Sequence, residues 1–295
     1  MANQHMESKS RHPFPSHFRT PLAWIFILAL LIGGYARADS VSLNADSAKL
    51  IYGSDSDTLT IDSGRPLMRA ALILQALYGY VITYEDPWYS NSDDVVDIAP
   101  STIKGYSAFK PGNGPKLIVP RSSQLSIKLP ASKKLSQDEL FGRLQDLVKL
   151  QKSKPRGGHF QVLQTGDSFH IIPAEARDRN GNWSTQSSLL DTVISLPQED
   201  RTESKLYLAI AGAVSAAAKV SMTVVVNHPL SYSSKSDLHT NVGASNETAR
   251  SVLMRALSVH PTKRTWTLMQ TTESGPNVFS LNVMDIPTNV AAVSY

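Results

Sequence analysis

One order of apolar patterns occurs twice along this chain, and a unit that recurs in full has to bury its own apolar faces in each copy. In the first copy Thr58-Leu59-Thr60-Ile61 alternates as a short strand. Asp62-Ser63-Gly64-Arg65-Pro66 then turns into a helix, with Ser63 as the expected N-cap. Leu67, Ala70, Ala71, Leu74 and Leu77 recur at spacings of three and four and mark one helical face, which Gly79 stops. Residues 80–84 (YVITY) read as a strand of aromatic and β-branched side chains, closed by Asp86-Pro87. Residues 125–129 alternate as another strand, Ser136 caps, and Leu140, Phe141, Leu144, Leu147 and Val148 give a second amphipathic helix. A hairpin of 160–164 and 169–172 follows.

The same order then returns. Residues 190–196 read as a strand, 206–219 as an alanine-rich helix and 222–226 as a strand. Ser245 or Asn246 caps a helix carrying Ala249, Leu253, Ala256 and Leu257, and 265–270 with 278–283 make the last hairpin. Leu144 aligns with Leu253, Val148 with Leu257, Phe160 with Trp266, Gln164 with Gln270 and Phe169 with Phe279. The pattern predicts an α+β fold of two repeated small domains, each a mixed sheet with two helices packed on one face. The first repeat spans 58–174, with 88–123 as a loop insertion, and the second spans 189–287. Residues 39–57 are the expected polar N-terminal tail, 175–188 (EARDRNGNWSTQSS) the linker and 288–295 the C-terminal tail.

Residues 1–38 read as a secretory signal: a basic, polar stretch to Thr20, an apolar run over 22–32 (LAWIFILALLI), and Ala36-Arg37-Ala38 as a small-x-small cleavage site. The run is shorter than the roughly 20 residues a spanning helix needs, so no transmembrane span is expected in the mature chain. Of 29 basic and 25 acidic residues, the leader holds four and one, which leaves 25 and 24 for the body. A body so close to neutral has no electrostatic footprint for nucleic acid. With no cysteine, the chain has no disulfide, zinc-thiolate site, iron–sulfur cluster or thiol nucleophile. Export without cysteine points to a bacterial periplasm or cell surface.

Residues 67–84 (LMRAALILQALYGYVITY), a helix ending in an aromatic-glycine pair that runs straight into a strand, resemble the secretin and TonB short N-terminal domain, a small periplasmic α+β module. The strand, helix and hairpin of 125–172 resemble that module's second half. The resemblance implies an envelope interaction module and transfers no catalytic residue. Two departures stand against it: residues 87–123 separate the halves of a module that is compact in the family, and no secretin-ring or β-barrel sequence follows.

Motifs that name a reaction are absent: no Gly-x-Gly-x-x-Gly, no phosphate loop, no His-Glu-x-x-His and no Gly-x-Ser-x-Gly. The five histidines after the leader, His159, His170, His228, His239 and His260, have no helical metal spacing, so no cofactor and no metal are expected. The candidate binding residues are Trp88 and Tyr89, with Tyr84, Asp93 and Asp94 around them. Trp88 and Tyr89 either stand exposed after Pro87 as anchors or fold back over the helices. The leading expectation is a non-enzymatic exported protein that binds an envelope protein partner, in association with secretion or assembly machinery. Two others stand beside it: polysaccharide binding at Trp88 and Tyr89, and an unrecognised hydrolase using the acidic loop from Asp86 to Asp97. Lys133, Lys134 and the run 149–156 (KLQKSKPR) form a basic patch that suits a helix C-terminus.

Overall fold

Capping chemistry sets the helix ends in the computed structural model, which describes residues 40–43, 48–104, 106–110, 114–131, 134–227, 238–271 and 277–286. The expected leader, the C-terminal tail and His228 lie outside these residues. In chain order the first half contains β1 (Ser40–Leu43), β2 (Ala48–Ile51), β3 (Ser56–Ser63), α1 (Pro66–Tyr78), β4 (Val81–Glu85), β5 (Val95–Asp97) and α2 (Ala99–Thr102). It continues with β6 (Ile118–Pro120), β7 (Ser123–Pro130), α3 (Gln137–Lys152), β8 (His159–Thr165), β9 (Ser168–Arg177) and β10 (Trp183–Thr185). The second half runs β11 (Val193–Leu196), β12 (Asp200–Thr202), α4 (Glu203–Ala218), β13 (Ser221–Asn227), β14 (His239–Asn241), β15 (Ala244–Thr248), α5 (Ala249–Ser258), β16 (Arg264–Gln270) and β17 (Val278–Asp285).

α1 starts with proline at its first turn and stops at Gly79, whose φ of 72° lets its N–H reach the Gln75 carbonyl at 2.7 Å. Arg65, not Ser63, holds the N-cap position; the Ser63 hydroxyl accepts the Arg65 N–H instead. Ser136 and Glu139 close a capping box on α3. α5 is capped by Thr248, whose hydroxyl accepts from the Ser251 N–H, because Ser245 and Asn246 are taken up in β15.

The molecule is α+β with mixed sheets. The main sheet runs β8-β9-β4-β16-β17-β13, with β10 also paired to β9. β9 is antiparallel to β8 and parallel to β4; β17 is antiparallel to β16 and parallel to β13. β4 and β16 lie side by side and parallel, pairing Tyr84 with Thr267 and Glu85 with Leu268. Strands from both halves of the sequence therefore share one sheet, and the described residues all fall in one compact unit. A second sheet, β1-β2-β3-β7, covers the first pair of long helices.

Two segments differ from expectation. The polar tail supplies β1 and β2, because Ala48 and Leu50 alternate with polar neighbours and are buried against β3. The expected linker is structured: β9 continues to Arg177 and β10 pairs back on it over 183–185, around a turn in which Gly181 has φ of 87°. The insertion of 88–123 contains β5, β6 and the short helix α2.

Ladder partners point to the same face of a sheet, so the pairing fixes where each core lies. Ile82, Tyr84, Phe169 and Ile171 face α1 and α3, together with Leu67, Leu74, Leu140 and Leu144. Trp266, Leu268, Phe279 and Leu281 face α4 and α5, together with Tyr207, Ile210, Val252 and Leu253. Tyr84 shares its face with Thr267, and Glu85 shares its face with Leu268. The helices of the two halves consequently pack on opposite faces of the main sheet. Among the described residues no helix is long and apolar enough to cross a membrane.

Candidate functional site

Charge is buried at the centre of the sheet. Glu85 and Asp86 are consecutive at the end of β4, so their side chains leave on opposite faces, and each meets an arginine supplied by a distant segment. Asp86 accepts from Arg65 Nε at 2.8 and 3.0 Å, from the Tyr84 hydroxyl at 2.9 Å and from the Gln270 N–H at 2.9 Å. Arg65 also donates to the Gln270 carbonyl at 3.0 Å, which ties the start of α1 to β16. On the other face Glu85 accepts from Arg250 of α5 and from the Ser188 hydroxyl, while Arg250 donates onward to Ser188 and Asp191. Burial pushes both carboxyls above their ordinary range, and the facing arginines act against that push. A buried pair of this kind is costly to break, because the surviving charge is left without a partner.

His170 adds a third contact across the junction. Its side chain is fully buried on β9, with Nδ1 2.8 Å from the Thr83 hydroxyl and its ring stacked 5.6 Å from that of Trp266 in the other half. Burial, followed by the nearby Arg250 charge, pulls its pKa down to about 3, so the ring is neutral at physiological pH.

The sequence-derived candidate residues divide between this junction and the insertion. Tyr84 is buried and donates to Asp86. Tyr89 is buried too, with its N–H on Gln270 Oε1 at 2.7 Å, and burial raises both phenols well above their ordinary pKa. Trp88 is half-buried, edge-on to Phe279 at 5.2 Å. The aromatic pair is packed against the sheet and does not stand exposed after Pro87. Tyr89 and Trp88 fold against β16 and β17 because Gln186 and Gln270 hold their backbone N–H groups there. Asp94 is buried and takes Arg177 at 2.5 and 3.1 Å and the Gly157 N–H at 3.0 Å. Asp97 accepts the N–H groups of Ala99 and Leu117, and Asp93 is exposed. The acidic loop is therefore largely a structural tie, and among the described residues no three His, Asp or Glu side chains converge as a metal site.

An aromatic outside that candidate set is more open. Trp183 on β10 is 39% exposed and stacks on His159 at 3.7 Å, with His159 bonded to Glu175 at 2.6 Å. A cleft of about 450 Å³ lies alongside, lined by Lys152, His159, Gln161, Glu175, Gln186 and Asp191.

The ends of the main sheet have a different character. β13 (SMTVVVN) is paired only to β17 and β8 (HFQVLQT) only to β9 among the described residues. Neither strand carries Lys, Arg, Asp, Glu or Pro, the residues that usually protect a free edge. Val225 on β13 is 42% exposed and Leu163 on β8 is 38% exposed. The register shift in β8 sits at His159/Phe160, before the residues that form its open edge. These edges carry no local sequence signature, since an edge is defined by which strands are absent beside it.

Comparison with known proteins adds no relative: no protein-family model, no curated protein and no solved structure matches the chain.

Proposed function

We propose that this is an exported, non-enzymatic protein of the bacterial envelope that acts as a protein-interaction module, and that it binds by adding a partner strand to the ends of its main sheet. The observation that carries the reading is the pair of uncharged strand edges with exposed Val225 and Leu163. Backbone N–H and C=O groups along such an edge supply affinity, and alternate side chains supply selectivity. The leader-like residues 1–38 support export, and the likeness of 67–84 to a periplasmic interaction module supports the setting. The test is capture from an envelope extract on the chain from residue 39 onward, beside Val225→Lys and Leu163→Lys variants. Loss of one dominant partner from either variant supports edge binding; identical capture by all three proteins contradicts it.

Polysaccharide binding is a second reading, favoured by one observation. Trp183, stacked on His159 beside a polar cleft, offers the exposed aromatic surface that Trp88 and Tyr89 do not. Retention on envelope polysaccharide that Trp183→Ala abolishes is its test.

A further inference from the structure

The two halves of the main sheet are built alike, and the way they join leaves the same join open at both ends. Across the sheet, the first half presents β8, β9 and β4 and the second presents β16, β17 and β13, with the same sequence of antiparallel and parallel pairings. The ladders agree residue by residue. Ile82 lies opposite Phe169 as Met222 lies opposite Phe279, and Gln164 lies opposite Phe169 as Gln270 lies opposite Phe279. On this correspondence β4 matches β13 and β8 matches β16.

The internal join is β4 against β16. Because β4 and β16 are parallel while β8 and β9 are antiparallel, passing from the first half to the second reverses strand direction and turns the helix-bearing face over. That is a half-turn about an axis lying across the strands. A second identical step places, beside β13, a strand equivalent to β8, parallel to it and with its helices back on the first face. Nothing described in one chain occupies that place. A second copy of the chain supplies it.

We propose that the protein self-associates head to tail, the β13 edge of one copy pairing in parallel with the β8 edge of the next. The proposal rests on the edge-binding reading above and names the partner as this chain itself. Carrying the internal register outward sets Val224 opposite Gln161, as Tyr84 is opposite Thr267, and Val225 opposite Val162, as Glu85 is opposite Leu268. Ser221 donates its N–H inward to the Asn277 carbonyl at 2.9 Å, so by strand alternation the N–H groups of Val224 and Val226 face the open side.

The side chains have changed in step with this arrangement. At the internal join Glu85 meets Arg250. The residue matching Glu85 is Val225, and the residue matching Arg250, by the alignment of Leu144 with Leu253, is Phe141. A buried ion pair inside the chain thus corresponds to an apolar pair across the proposed contact. Phe141 is only partly buried, stacked at 6.2 Å on Phe169, and Val225 is 42% exposed. Leu163, the match of Met269, comes opposite Val226 on the other face. Such a contact is heterologous: each copy uses a different surface at each end, so the assembly continues as an open array or closes as a ring according to its twist.

Sedimentation velocity over a concentration series, on the chain from residue 39 onward, tests the proposal. Wild type is expected to move from single-chain mass to larger species as concentration rises. Val225→Lys blocks one end and Leu163→Lys the other, so each alone should remain at single-chain mass. Mixed together they should form one-to-one pairs, because one variant retains β8 and the other β13. Circular dichroism and urea midpoints matching wild type establish that both variants are folded. Three results overturn the proposal: wild type at single-chain mass throughout, a variant that associates as wild type does, or a mixture that fails to pair. A monomeric wild type whose captured partner is nevertheless lost on Val225→Lys removes self-pairing and leaves edge binding standing. Capture indifferent to both substitutions removes edge binding itself.

Discussion

Acidification should destabilise this fold through His170, by an amount set by the junction between its two halves. In the unfolded chain a histidine titrates near 6.5, whereas the buried ring of His170 titrates at about 3. The folded pKa is the lower one, so its contribution to stability is complete above pH 6.5 and is lost as pH falls toward 3. Between pH 7.5 and pH 5 the loss from this one group is about 2 kcal/mol, and below pH 3 it approaches roughly 5 kcal/mol. Urea unfolding at pH 7.5 and pH 5.0 measures it, with His170→Asn as the comparison. Asparagine keeps a polar atom near Thr83 and does not titrate, so the variant should be weaker at both pH values yet show a pH-dependent loss smaller by about 2 kcal/mol. Other titrating groups contribute equally to both proteins and cancel. An equal loss in both proteins refutes the reasoning, and with it the stacking of His170 under Trp266, since a ring on an open sheet face keeps an ordinary pKa.

Arg250→Met should cost about 3–5 kcal/mol in urea unfolding, because Glu85 stays buried without its partner, and adding Glu85→Gln should recover much of the loss. Val225→Lys should shift the stability of the single chain by no more than about 0.5 kcal/mol, as expected of an exposed position, even where it abolishes association. Trp266→Ala should cost about 3–5 kcal/mol, since the side chain is fully buried in the second core and backs His170. Trp183→Ala should abolish retention on envelope polysaccharide that Trp88→Ala preserves, because Trp183 is the exposed ring of the two.

Local signals carried much of the fold. The three-and-four spacing of Leu67 to Leu77, the stop at Gly79 and the Ser136 cap all depend on residues a few positions apart, and they mark α1 and α3 closely. The hairpin of β8 and β9 was equally readable, because its turn spans only residues 165–168. What escaped was set by distant segments. Arg250 stands three and seven residues before Leu253 and Leu257, on the apolar stripe of its helix, and a charge there signals a buried partner without saying that it is Glu85. His170 alternates with Phe169 and Ile171 and so belonged to the opposite face, but only the join of β4 to β16 covers that face. Trp88 and Tyr89 follow Pro87 in a segment whose composition resembles a surface loop, and long-range bonds to Gln186 and Gln270 draw them in. β1 and β2 were hidden for the opposite reason: each has four residues, too few for alternation to stand out in a polar tail.

The chain contains no cysteine, so introduced thiols report on contact without background. The most direct measurement is disulfide trapping between Val225→Cys and Val162→Cys variants of the chain from residue 39 onward, each alone and the two mixed. Head-to-tail pairing predicts a cross-linked dimer in the mixture and neither variant dimerising with itself, because β13 meets β8 and never another β13. Dimers formed by Val225→Cys alone, or no cross-link in the mixture at concentrations where wild type associates, would contradict the account.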